Sequence, residues 1–184
     1  MDDIDAFIRA NTAPTRPPLL PELVLHLATE VTPLWQATEE TLRRTGLPPP
    51  YWAFAWVGGQ AVARYILDHP GSVAGKRVFD FASGSGIVAL AAARAGAAAV
   101  TAAEIDPIAV AAIRLNAAAN GCAVEVDGGD RIGDALAGID RGLRGRGRAL
   151  GERYTIVWLQ RRGSAVGAQQ HADAARVWRR VQLV

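Results

Sequence analysis

Val78-Phe79-Asp80-Phe81-Ala82-Ser83-Gly84-Ser85-Gly86 decides the fold: an apolar strand carrying one acid runs directly into a glycine pair. Gly84 and Gly86 let the backbone turn tightly and let a ligand approach it closely. Ile87 to Ala95 is alanine-rich and is ended by Gly96, so the free N–H groups of a helix point back at whatever occupies the turn. Ala98 to Ala103 reads as a second apolar strand, followed by Glu104-Ile105-Asp106-Pro107. The spacing predicts a helix from Ile108 to Asn120, with Asp106 as its N-cap, Pro107 in the first turn and Gly121 just past the end. Val124 to Val126 begins a third strand. Strand, glycine turn, helix and strand within about 30 residues make a βαβ unit, which implies a parallel sheet and an α/β fold.

This turn serves two cofactor classes. Gly84-Ser85-Gly86-Ile87-Val88-Ala89 fits the dinucleotide pattern G-x-G-x-x-G/A, in which a pyrophosphate sits at the helix N-terminus. Asp80 argues for the other class. A carboxylate beside the turn repels a pyrophosphate, whereas it helps to hold the cationic amino acid end of S-adenosylmethionine. The plainer alternative is that Asp80 serves the turn itself, hydrogen-bonding its backbone N–H groups. Glu104 ends the second strand, where a carboxylate accepts from both hydroxyls of a ribose. Asp127 and Asp130 follow the third strand and are candidates for the adenine edge or for ordinary loop acids.

Upstream of the turn the chain changes character. Asp2 to Ala10 reads as a short amphipathic helix with Ile4, Phe7 and Ile8 on one face. A proline-rich stretch runs from Pro14 to Pro21. Leu23 to Trp35 is apolar at helical spacing, and Glu39-Glu40 with Arg43-Arg44 sets opposite charges four residues apart. Pro48-Pro49-Pro50 stops that helix. Gly59 to His69 is helical again. Trp52, Phe54 and Trp56 alternate as in a buried extended segment.

Composition bounds the function. The chain has 184 residues, enough to bury a core, and a single cysteine, Cys122, so neither an internal disulfide nor a cysteine-rich metal site is expected. It has no apolar run long enough for a bilayer, and its acidic start is unlike a secretory or mitochondrial leader. A cytoplasmic protein is the expectation. Residues 1–130 carry 9 basic and 14 acidic side chains, and residues 131–184 carry 11 and 4. The basic tail holds no nucleic-acid motif and no interleaved aromatic platform, so nucleic acid is not the expected partner. Oligomeric state is not legible.

The segment from Asp80 to Gly86, with Glu104-Ile105-Asp106-Pro107, resembles the class I, Rossmann-like methyltransferases. Ile8-Arg9-Ala10-Asn11-Thr12, Pro48-Pro49-Pro50-Tyr51-Trp52-Ala53-Phe54-Ala55-Trp56-Val57-Gly58-Gly59-Gln60 and the run from Ala112 to Gly121 narrow the likeness. They resemble the electron transfer flavoprotein β-subunit lysine methyltransferases, relatives of which are labelled ribosomal protein L11 methyltransferases. The resemblance implies S-adenosyl-L-methionine as cofactor and a protein lysine as methyl acceptor, on the flavoprotein β subunit as partner. It implies cofactor contacts from Asp80, Gly84, Gly86, Glu104, Ile105, Trp56 and Asp130, with no metal. It also implies a methyltransferase sheet preceded by an N-terminal helical extension.

The likeness spans roughly residues 4 to 132 and then stops. Family members continue with an apolar fourth strand running into Gly-Asp and a nearby Tyr, which border the acceptor lysine. Here the corresponding place reads Ile139-Asp140-Arg141-Gly142-Leu143-Arg144-Gly145-Arg146, whose three arginines have no evident partners for burial. Residues 1–132 are therefore expected to form the helical extension and cofactor half, with residues 133–184 an Arg/Gly-rich tail in which the rest of the fold is degenerate or missing. Within the tail, Tyr154 to Leu159 reads as one strand and Ala172 to Val181 as one helix. Synonymous codons for Asp140 to Gly145 can be chosen so that the next frame reads Ile-Val-Val-Cys-Ala-Gly, so a frameshift near residues 135–140 would account for the break. No catalytic residue is assigned, and weak or absent turnover is expected. The alternatives are an NAD-dependent oxidoreductase and a non-catalytic S-adenosylmethionine-binding remnant.

Overall fold

The computed structural model describes residues 2–37, 39–47, 49–130 and, as backbone, 154–158. Helix α1 (Asp2–Asn11) leads into strand β1 (Ala13–Thr15), which pairs antiparallel with β2 (Leu25–Leu27). Short helices α2 (Pro33–Gln36) and α3 (Glu39–Arg44) follow, then one turn of 3-10 helix at Tyr51–Ala53 and helix α4 (Val57–Asp68). The expected helix from Leu23 to Trp35 is a correction: its first part is β2. Leu23, Leu25, His26 and Leu27 are all buried. A strand covered on both faces shows a continuous apolar run, which periodicity alone does not separate from a helix. The expected i, i+4 pairs of α3 involve the side chains of Glu39 and Glu40, which lie outside the described residues.

The βαβ region follows the expected order. Strand β3 (Arg77–Phe81), helix α5 (Ile87–Arg94), strand β4 (Ala99–Ala103), helix α6 (Pro107–Ala119) and strand β5 (Glu125–Asp127) succeed one another. Alanine has the best helix propensity and the smallest buried side chain, and both helices use this to sink into the protein. Residues 87–92 of α5 are all buried, and in α6 residues 109–113 and 115–117 are. The ends of α6 are as the residues require. The Asp106 side chain accepts from the Ile108 N–H at 2.8 Å, Pro107 begins the helix, and Gly121 takes φ +61° beyond it.

Strand β6 (Tyr154–Trp158) completes a four-stranded sheet of order β5-β4-β3-β6, parallel throughout. This is the tail segment read as a strand. The stretch at 139–146 and the helix at 172–181 lie outside the described residues. The chain steps outward from β3 to β4 to β5 and then returns to the other side of β3. In an open parallel sheet, the crevice beyond the strand ends at such a reversal is where ligands bind. Here that place is the end of β3, directly at the glycine turn.

Two apolar clusters sit on either side of α6. One joins Leu20, Leu23 and Leu25 to Val78, Leu90, Val100 and Ile113. The other joins Ile8, Leu34, Leu42 and Trp52 to Ala109, Ala112 and Leu115. The N-terminal extension is therefore part of the core. Among the described residues, no helix is long and apolar enough to cross a membrane.

Candidate functional site

The turn after β3 is built from left-handed residues. Ala82, Gly84 and Gly86 have φ of +54°, +57° and +80°. Glycine adopts this conformation freely, whereas a Cβ meets the following carbonyl. Gly86 is also tightly enclosed: a Cβ there would lie 3.1 Å from Ile113 Cγ2. A Cβ on Gly84 would meet nothing within 4 Å. Gly84 thus faces open space at the end of β3, leaving room there for a ligand.

Two buried carboxylates flank this turn. Asp80 is fully buried within β3. Its Oδ2 accepts from Ser83 Oγ at 2.6 Å and from the Ala89 N–H at 3.1 Å, tying the strand to the turn and to the first turn of α5. Its Oδ1 is buried with no hydrogen-bond partner among the described residues. The Asp80 carboxyl is pushed up to about 7, chiefly by burial, with the Ser83 hydroxyl and Ala89 amide holding it lower and the Glu104 charge adding to the rise. Glu104, also buried, accepts from the Gly84 N–H through Oε2 at 3.0 Å and from the Ile105 N–H through Oε1 at 2.9 Å. Asp106 N–H lies 3.3 Å from the same Oε1.

The seven expected contact residues fall into two groups. Asp80, Gly84, Gly86, Glu104 and Ile105 come together at the ends of β3 and β4, held by these bonds. Ile105 is 58% exposed, a bare apolar side chain beside the turn. Asp130 is exposed three residues beyond β5. Trp56 caps the start of α4, is 55% exposed, and donates from Nε1 to the Tyr51 carbonyl at 2.8 Å. Its ring lies 6.1 Å from Tyr51 and 6.0 Å from Phe54, centroid to centroid. The hydrogen bond and ring neighbours of Trp56 thus lie within its own segment, at Tyr51 and Phe54. Trp52, expected in the core, is 1% exposed. Oδ2 of Asp80 does what the plainer reading required, bracing the turn, while Oδ1 is left to a further partner.

The donor set fits an adenosyl ligand with a cationic end. A positive group near Asp80 Oδ1 offsets two carboxylates that now repel each other, and a pyrophosphate would add negative charge to them. Sequence reasoning missed two residues here. Ser83 gave no signal, because a serine in a turn is ordinary. Asn116 did give one: it is a polar residue in the otherwise apolar run Ala109 to Ala117 apart from Arg114, and it is fully buried. Among the described residues, no group of three or more His, Cys, Asp and Glu side chains is arranged to hold a metal ion.

Residues 66–130, which contain the turn and both carboxylates, match the family model described as ribosomal protein L11 methyltransferase (PrmA). The chain is 43% identical over 119 residues to the human electron transfer flavoprotein beta subunit lysine methyltransferase, covering 64% of this chain and 44% of that protein. It is 34% identical over 126 residues to a ribosomal protein L11 methyltransferase of Deinococcus radiodurans, covering 67% and 43%. A ribosomal protein L11 methylase structure from Lactobacillus delbrueckii superposes with TM-score 0.39 at 29% identity, covering 44% of this chain and 42% of that one. The chain thus spans a little under half the length of these curated relatives. The resemblance to flavoprotein β-subunit lysine methyltransferases and ribosomal protein L11 methyltransferases read from the sequence is found again in the family model and the curated relatives.

Proposed function

We propose that this chain binds S-adenosyl-L-methionine at the β3 turn and is a protein-lysine methyltransferase, with the electron transfer flavoprotein β subunit as acceptor. The observation that carries the cofactor is the pair of buried carboxylates, Asp80 and Glu104, about a glycine turn open at Gly84. The acceptor rests on the 43% identity to a relative named for that substrate.

When bound, the cofactor supplies an electrophilic methyl on a sulfonium. The chain's own residues bind and orient. Asp80 Oδ1 would hold the cationic amino acid end, Gly84 would admit close approach, and Glu104 would accept from the ribose hydroxyls. Ile105 would cover one face of the base, Trp56 would lie beside the cofactor, and Asp130 would reach the adenine edge. Orientation of this kind supplies most of the acceleration in an in-line methyl transfer. The residues that would border the acceptor lysine are not recognisable at 139–146, and with residues 1–132 as the cofactor half, the chain binds its cofactor better than it turns over. Its single cysteine suits a cytoplasmic location.

Titration calorimetry with S-adenosylhomocysteine and with NAD tests the cofactor. Binding of the first and not the second is expected, and the reverse overturns the reading. Transfer of tritiated methyl to the flavoprotein β subunit tests the acceptor: slow but lysine-specific labelling is expected, whereas near-normal turnover removes the claim that the acceptor half is impaired. Cofactor binding with no labelling at all favours the non-catalytic remnant.

A further inference from the structure

Asn116 Nδ2 donates to the Ser85 carbonyl at 2.9 Å. Its Oδ1 accepts from the His26 N–H at 2.8 Å and lies 3.1 Å from His26 Nδ1. These partners determine which way the amide points. A carbonyl can only accept, so the NH2 group must face Ser85. A backbone N–H can only donate, so the oxygen must face His26. His26 Nδ1, also directed at that oxygen, then carries a hydrogen. All three residues are buried, His26 at 6% exposure and Ser85 at 4%.

Ser85 stands between the two left-handed glycines, so Asn116 grips the middle of the turn from behind. Asn120, one helical turn on, provides an internal contrast. It clamps Val24, accepting from its N–H at 2.9 Å and donating to its carbonyl at 2.6 Å, but has no contact with the turn. Both asparagines dock the N-terminal segment onto α6 and its end, and Asn116 alone of the two reaches the turn.

We propose that Asn116 is a positioning residue for the candidate cofactor site: it fixes the Ser85 carbonyl, thereby aims Gly84 and Gly86, and links the turn to β2 through His26. The proposal rests on the cofactor reading above. A buried turn carbonyl that loses its donor rotates toward another one, and the amides on either side rotate with it.

The experiment compares Asn116→Asp with Asn120→Ala in the full chain. The aspartate keeps an acceptor for His26 and sets a second oxygen against the Ser85 carbonyl, where a donor is needed. Affinity for S-adenosylhomocysteine should fall about tenfold or more in Asn116→Asp and change by less than about twofold in Asn120→Ala. Equal affinity of Asn116→Asp and the parent overturns the inference. A parent that binds no S-adenosylhomocysteine overturns the cofactor reading instead, and the positioning role is then judged by amide NMR. The Gly84 and Gly86 resonances should move in Asn116→Asp, or in Asn116→Ala should the first not fold, and stay in place in Asn120→Ala. Unmoved glycine signals overturn it. A readout without substitution uses the parent's side-chain amides: on adding S-adenosylhomocysteine the Asn116 signals should shift and the Asn120 signals should not. Stationary Asn116 signals on ligand binding also overturn it.

Discussion

The backbone N–H of Gly84 donates to Oε2 of Glu104 at 3.0 Å, joining residues twenty positions apart. The other oxygen of the same carboxylate serves Ile105, two residues past the end of β4. One buried side chain therefore ties the open glycine of the first strand's turn to the end of the second strand. The crevice between them is defined by this carboxylate as much as by the sheet.

Glu104→Gln should show what that knot contributes. An amide has one oxygen, so either Gly84 or the Ile105 side of the pair loses its acceptor. Leaving a fully buried N–H unpaired costs about 1–3 kcal/mol, and these part-buried groups fall at or below the low end of that range. Chemical denaturation should show a loss of that size, and calorimetry a drop of at least about tenfold in S-adenosylhomocysteine affinity. Unchanged stability would show that both N–H groups find other acceptors.

The two glycines should separate stability from binding. Both require a left-handed backbone, which costs a non-glycine residue about 1–2 kcal/mol. Gly86→Ala adds a 3.1 Å contact with Ile113, a side chain with no exposure, so it should be the more destabilising. Gly84→Ala places its methyl in open space, so it should cost less stability and proportionately more ligand affinity. Thermal melts beside ligand titrations check the order, and a Gly84→Ala protein with parental affinity would show that the ligand does not approach there.

Ala82 already bears the left-handed strain, at φ +54°. Ala82→Gly relieves about 1–2 kcal/mol of it and gives back roughly 0.4–1 kcal/mol through the freer unfolded chain. A net gain of about 0–1.6 kcal/mol is expected in denaturant melts. A destabilised variant would mean that packing around the Ala82 methyl outweighs the backbone term.

Asp80 should make stability fall as pH rises. Its carboxyl titrates near 7 in the folded protein against 3.8 as the ordinary value, so between about pH 4 and 7 the folded chain binds more protons than the unfolded one. The contribution is most favourable below the unfolded value, declines across that window and is constant above it. Asp80→Asn should remove this component, visible as a flatter pH profile of the melting midpoint. A cationic ligand beside Oδ1 favours the ionised form, so S-adenosylhomocysteine should bind more tightly at pH 8 than at pH 6 in the parent. That dependence should be lost in Asp80→Asn. Identical pH profiles for the two proteins would place the titration elsewhere.

Local chemistry made most of the βαβ unit readable. Asp106, Pro107 and Gly121 mark the ends of α6 through caps that act within a few residues, and Gly96 takes φ +86° where α5 was expected to stop. The failure at Leu23 to Trp35 has the opposite cause. β2 is a strand because it pairs with β1 along one edge and packs against α6, and partners supplied by other segments leave no local trace.

The residues at the site divide in the same way. Asp80, the glycine pair and Glu104 are visible in the sequence because a strand-borne acid, a G-x-G turn and a strand-end carboxylate are unusual where they stand. Their roles came from the tertiary structure. Packing in the interior leaves one oxygen of Asp80 satisfied and the other not, gives Glu104 to Gly84, and makes Asn116 the link between Ser85 and His26. Hydrogen-bond capacity is a property of each residue and can be read from its name. Which donor meets which acceptor depends on how segments twenty to ninety positions apart are brought together, and that is settled when the apolar faces of β2, α5 and α6 are buried against one another.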